Sequence, residues 1–259
     1  MRKNHFSSPH DFYSESLKVL KKTNIPFMVG GTFAVMAHTG IKRETKDLDV
    51  FCHPGDYPKI LKIFSDLGYR TQTLDERWMV KILKGKYFLD IIFNAANAVT
   101  PVTKDWFKNC RKAKIAGIEV PLLPPTELIW AKAFIQDRRK YDGGDVVHLI
   151  LKKHKEISWR RLFFYMDQYW EVLFSHVLNF RFIYPSERNI IPLWILKELT
   201  ARLDQQIKIA PSKMKICRGR LFSRGDYQID IEKWGFADLI GSPILTSNAK
   251  PEEPKNEPQ

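Results

Sequence analysis

The sequence predicts an α/β (α+β) fold, a mixed sheet with flanking helices followed by a helical C-terminal region. Three observations predict it. Short strand-like apolar runs alternate with helical ones up to about residue 125, giving a β-α-β-α-β-β-β order after an initial helix. A Gly30-Gly31 turn joins the first strand to the helix that follows it. From Pro125 onward only helical periodicity continues.

The elements follow in order. Phe12, Leu17, Val19 and Leu20 recur at helical spacing within residues 11–23. Pro26-Phe27-Met28-Val29 is a short apolar run closed by the two glycines, and Thr32 to Ala37 follows as a helix that stops at Gly40. Leu48 to Cys52 reads as a second strand. After Pro54-Gly55, Ile60, Leu61, Ile63, Phe64 and Leu67 mark a helix over 57–67 that ends at Gly68. Residues 69–74, 78–83 and 87–93 read as successive strands, the last two joined by Lys84-Gly85-Lys86. Thr126 is expected to cap a helix running to about Asp137, Asp142 to Lys153 forms another, and Ser158 is expected to cap a third. Helical stretches continue to about Ile209. The expected organisation is a sheet domain over 1–125, a helical domain over 126–210, an ordered extension over 211–249 and a disordered tail over 250–259.

Composition narrows the function classes. A chain of 259 residues buries enough surface to fold without a disulfide framework. The three cysteines, Cys52, Cys110 and Cys217, contain no CxxC pair, which argues against a cysteine zinc site. No apolar stretch is long enough for a membrane span, and the N-terminal residues lack the apolar core of a secretory signal, so a cytoplasmic protein with no membrane partner is expected. The net charge of +13 favours polyanionic partners such as RNA or nucleotides, although many basic proteins bind neither. It is clumped: Lys104, Lys108, Arg111, Lys112 and Lys114 form one cluster, Lys152 to Arg161 a second, and Lys208 to Arg224 a third.

The chemistry-bearing residues come in three groups. Gly30, Gly31 and Thr32 stand at a strand-to-helix turn, where glycine permits close backbone approach and a helix N-terminus offers free N–H groups to phosphate. Asp47 and Asp49 enter a strand two residues apart and therefore share a face. Side chains on one face converge on a hard divalent cation, which takes oxygen ligands. Asp90 interrupts the apolar run Phe88 to Phe93, where an unpaired charge is costly; a capped or ion-paired aspartate is the alternative. A third carboxylate from a neighbouring strand permits two-metal chemistry at a phosphate. No GxSxG elbow or GxxxxGK[ST] loop is present, and the histidines do not reach three ligands at zinc spacing.

VGGTFAVMAHTG, RETKDLDVF and FLDIIF together resemble the signature of the DNA polymerase β type nucleotidyltransferase superfamily, and most closely its small prokaryotic members, the AbiEii-type toxin enzymes among them. The resemblance covers about residues 25–150. It implies that Gly30, Gly31 and Thr32 hold nucleotide phosphates, that Asp47, Asp49 and Asp90 ligate magnesium or manganese, and that Asp90 also serves as base on the acceptor hydroxyl. ELIWAKAFIQDRRKYDGGDVVHLI resembles the superfamily's later helical segment, which makes Lys132 a candidate for the triphosphate charge, supported by Asp145 or Asp142. A solvated Lys132 extending from the helix is the alternative.

The implied reaction is transfer of NMP from an NTP to an acceptor hydroxyl on RNA or tRNA, a small molecule or a protein, with release of pyrophosphate. A non-catalytic nucleotide- or RNA-binding protein on the same fold is the second reading, which the three carboxylates disfavour. A toxin with an antitoxin partner is a third, resting on the resemblance alone.

Overall fold

A computed structural model describes residues 6–95, 100–219, 221 and 224–239. Helix α1 (Pro9–Lys22) starts at Ser8, whose side chain accepts from the Asp11 amide. Strand β1 (Phe27–Val29), helix α2 (Gly31–Thr39), strand β2 (Asp49–Cys52) and helix α3 (Tyr57–Asp66) follow. Strands β3 (Arg70–Asp75), β4 (Met79–Lys84) and β5 (Tyr87–Ile92) complete a five-stranded sheet of order β1-β2-β5-β4-β3. The β2/β5 pair is parallel and the other pairs are antiparallel, so the sheet is mixed, as the element order predicts.

The pleat sorts side chains between two cores. Val29, Val50, Val80, Ile82, Leu89 and Ile91 face one way, onto Phe12, Leu17 and Leu20 of α1 and Ile60 and Phe64 of α3. Met28, Phe51 and Ile92 face the other way, onto Val35 of α2 and the helices that follow Pro125. The alternation in β2 and β5 also puts Asp49 and Asp90 on this second face, one row before Phe51 and Ile92. Each fully buried aliphatic or aromatic side chain contributes roughly 1.5–3 kcal/mol, so both faces are firmly held.

Two short ladders not foreseen from the sequence follow the sheet: β6 (Asn94–Ala95) with β7 (Thr100–Pro101), and the hairpin β8 (Lys112–Ile115) with β9 (Ile118–Pro121). The hairpin turns at Ala116 and Gly117, which take φ of 47° and 76°. Its strands hide within the basic cluster because Lys112 and Lys114 occupy the outward positions, with Ile115 and Val120 buried beneath.

Helix α4 (Pro125–Ala133) is shorter than the expected 126–137 and is not capped by Thr126. Pro124 is the N-cap and Pro125 opens the helix with its φ already helical. Thr126 is buried, and its hydroxyl accepts from the Ser158 amide at 2.9 Å. The chain leaves the helix at Phe134 because Gln136 bridges back to Tyr141 and Asp137 closes the intervening loop. Helices α5 (Gly143–Lys153), α6 (Trp159–Tyr165), α7 (Trp170–Ile183) and α8 (Leu193–Ile207) continue the helical region. Ser158 occupies the N-cap position of α6 without a side-chain capping bond. Val146, Leu173, Val177 and Leu199 of these helices join the same core as Phe51 and Ile92.

Beyond α8, β10 (Ile216–Cys217) pairs in parallel with β11 (Ala237–Asp238), with α9 (Arg224–Glu232) between them. The Gln136 amide donates to the Leu221 carbonyl at 3.2 Å, and Arg138 pairs with Asp226 at 3.2 Å, which ties this stretch to the loop after α4. The rest of the extension from residue 240, and the 250–259 tail, lie outside the described residues. No helix among the described residues is long and apolar enough to cross a membrane.

Candidate active site

Register places three charged side chains in one row across three strands. Asp49 of β2 is opposite Asp90 of β5, and Asp90 is opposite Lys81 of β4. Asp47 lies just before β2 rather than in it, and Thr45 donates its hydroxyl to Asp47 Oδ1 at 2.8 Å, which sets that carboxylate beside the row. Ligand-type oxygens of Asp47, Asp49 and Asp90 all lie within 4.8 Å of one another.

The glycine turn abuts this cluster. The Gly30 amide donates to the Asp49 carbonyl at 2.9 Å, joining the turn to β2. Gly31 has φ +54°, and a Cβ there would fall 1.6 Å from Asp49 Oδ2. At Gly30 a Cβ would fall 2.2 Å from the Phe51 ring. Both glycines are therefore required by contact, and Gly31 by conformation as well. Helix α2 begins with no side-chain cap, which leaves its first-turn amides unpaired by any cap. Thr32 Oγ1 accepts from Arg43 Nη2 at 3.2 Å.

Electrostatics follow from the crowding. Burial, then the Asp47 and Asp90 charges, push the Asp49 carboxyl up to about 7, against the opposing pull of Lys140 and Lys132. Burial also raises Asp90, while Lys81 at 3.2 Å from its Oδ1 holds it down. Lys81 in turn lies 3.6 Å from the Phe88 ring centroid. Three carboxylates with converging oxygens, arranged around Gly31 where no Cβ intrudes, form a hard-oxygen donor set that suits a divalent cation.

One cleft contains Gly31, Asp47, Asp49 and Asp90, floored by Phe51 and Ile92 and walled by Trp78 and Met79 on the sheet side. Leu128, Ala131, Lys132 and Ile135 of α4 and its exit, with Lys140 and Asp142, form the opposite wall. Lys132 is buried rather than solvated: its Nζ lies 2.8 Å from Asp142 and 2.8 Å from Asp145. Arg43 grips Asp145 with both terminal nitrogens at 2.7 Å each. Burial raises Asp145, but Arg43 and Lys132 outweigh it and leave the carboxyl below its usual range. Asp145 thus supports Lys132 and does not itself line the cleft.

Residues 14–122 match the model of the aminoglycoside-2''-adenylyltransferase family. Over these residues the chain is similar to nucleotidyltransferases. The glycine turn and all three cleft carboxylates fall inside the matched residues, whereas Lys132 of α4 and Lys140 of the loop after it lie beyond. Among solved structures, the lincosamide antibiotic adenylyltransferase LnuA is similar at 17% identity and a TM-score of 0.40, covering 56% of this chain and 98% of its own. The antibiotic-resistance factor ANT(2'')-Ia is similar at 17% identity and a TM-score of 0.40, covering 77% and 92%. An antigenic nucleotidyltransferase-like protein from Paracoccidioides brasiliensis is similar at 14% identity and a TM-score of 0.42, covering 69% and 90%. A sequence comparison with curated proteins finds no match.

Sequence reasoning finds the glycines and the three aspartates but misses Arg43, Lys81 and Lys140. Lys81 carries one legible signal, since it alternates with Val80 and Ile82 and so shares a face with neither. Its pairing with Asp90 depends on strand register, which that alternation does not specify.

Proposed function

We propose that this nucleotidyltransferase moves NMP from a nucleoside triphosphate to the hydroxyl of a small-molecule acceptor, in a divalent-cation-dependent reaction. The observation that carries the reading is the convergence of Asp47, Asp49 and Asp90 beside Gly31. The match of residues 14–122 to a family described as aminoglycoside-2''-adenylyltransferase supports a small hydroxyl-bearing acceptor and makes ATP and an aminoglycoside the first pair to try.

Asp47, Asp49 and Asp90 would hold magnesium or manganese, which supplies neutralisation of phosphate charge and acidification of a nearby hydroxyl. The amides at the start of α2, which no side chain caps, donate to phosphate oxygens, and the positive end of the helix dipole favours their charge. Asp90, whose carboxyl is raised by burial, takes the acceptor proton while Lys81 holds its Oδ1. The acceptor oxygen then bonds to the α-phosphorus as the bond to the departing pyrophosphate breaks. Phe51, Ile92, Trp78 and Leu128 keep water from competing as acceptor.

The test is incubation of the full chain with each α-labelled NTP and magnesium, once with an aminoglycoside and once with total RNA. Label is expected in the small-molecule fraction with equimolar pyrophosphate, and it disappears in Asp49→Ala. Label confined to RNA, with binding that weakens steeply as salt rises, overturns the small-molecule acceptor. Nucleotide binding without pyrophosphate release in any mixture returns the choice to the non-catalytic binding protein.

A further inference from the structure

The cations around the cleft are unequal. Lys132 and Arg43 face Asp142 and Asp145, two cations against two anions at 2.7–2.8 Å, so this group is already neutral. Lys81 is held by Asp90. Lys140 lines the same cleft as the three carboxylates, its side chain is exposed, and it makes no ion pair among the described residues.

Its loop is built to hold it there. Asp137 Oδ1 accepts from the amides of Arg139 at 2.7 Å and Lys140 at 2.8 Å, and the Asp137 amide donates to the Lys140 carbonyl at 3.0 Å. The Gln136–Tyr141 bridge closes the loop at its base. Tyr141 packs against Gly143, where a Cβ would fall 2.2 Å from its ring, and its hydroxyl accepts from Asn179 at 3.2 Å. A backbone held this firmly leaves only the lysine stem to order when a ligand arrives.

We propose that Lys140 is the cation that binds the β- and γ-phosphates of the incoming nucleotide, and that the Arg43–Asp145–Lys132–Asp142 group is a clamp that positions the cleft walls. The proposal rests on the nucleotidyl-transfer reading. Withdrawing Lys132 toward a ligand strips two buried carboxylates of a partner, whereas Lys140 gives up only solvent. Lys140 and Gly31 line one cleft, so a chain of phosphates that starts at the α2 amides meets the Lys140 ammonium. Arg138 and Arg139 of the same loop are not among the residues that line the cleft.

The experiment is calorimetric titration of the full chain with α,β-methylene-ATP and with AMP, each with magnesium, for the wild type, Lys140→Met, Lys140→Arg and Arg139→Met. Lys140→Met is expected to weaken the triphosphate analogue about tenfold while leaving AMP within about twofold. Lys140→Arg restores most of the loss, Arg139→Met matches the wild type, and the melting temperature of Lys140→Met is unchanged. A wild type that prefers the triphosphate analogue, with that preference intact in Lys140→Met, overturns the assignment alone. A wild type that binds neither nucleotide removes the nucleotidyl-transfer reading and this assignment with it.

Discussion

Asp49 rests against Gly31 so closely that a Cβ on the glycine would stand 1.6 Å from Asp49 Oδ2. The glycine therefore does two things at once: it makes the turn into α2 and it leaves the volume that the carboxylate fills. A left-handed φ costs an L-residue roughly 1–2 kcal/mol, and the clash displaces Asp49 as well. Gly31→Ala is expected to fold with slightly lower stability and to lose about 100-fold or more in turnover, because a displacement of about an ångström at a reacting centre is that costly. Thermal melting and pyrophosphate release measured on the same sample separate the two effects; full turnover in the variant refutes the contact.

Lys132 carries two carboxylates, but only Asp145 has Arg43 as a second partner. Lys132→Met is expected to destabilise by roughly 3–5 kcal/mol, since it leaves Asp142 buried without its cation. Adding Asp142→Asn should recover more of that loss than adding Asp145→Asn, which also strips Arg43. Urea unfolding of the single and two double variants gives the comparison, and equal recovery would show that Arg43 does not hold Asp145.

His38 ties the end of α2 to the approach of α4, its Nε2 lying 2.9 Å from the Leu123 carbonyl. Acting as acceptor, that carbonyl takes the Nε2–H of the neutral ring. Burial drives the imidazole down to about 4, from an unfolded value near 6.5. Between those values the unfolded chain binds a proton that the folded chain refuses, so stability rises with pH across this window. The contribution is complete above about pH 6.5, falls as pH drops toward 4, and amounts to about 3 kcal/mol at most. His176, also buried and lowered for the same reason, acts in the same direction. His38→Gln keeps a donor for Leu123 and should flatten the pH dependence of urea midpoints between 4 and 6.5; an unchanged slope assigns the effect elsewhere.

Much of the sheet and of the carboxylate site is legible in the residues alone. The short apolar runs Val50-Phe51-Cys52 and Leu89-Asp90-Ile91-Ile92 read as buried strands, and a charge inside the second is conspicuous because burial of a lone carboxylate is costly. The α4 boundaries are less legible. Thr126 has the composition of a cap, yet a proline start and a tertiary bond to Ser158 occupy it instead.

The sequence by itself determined the α/β order, the glycine turn and the three aspartates, because local backbone preference and hydrophobic periodicity are written within a few residues of each. Only the tertiary structure decided which cations are neutralised and which is not. Arg43 and Asp145 are 102 positions apart, and their pairing exists only after α5 packs against α2. Lys132 and Lys140 look alike as residues; burial between two carboxylates separates one from the other, and no local pattern encodes that difference.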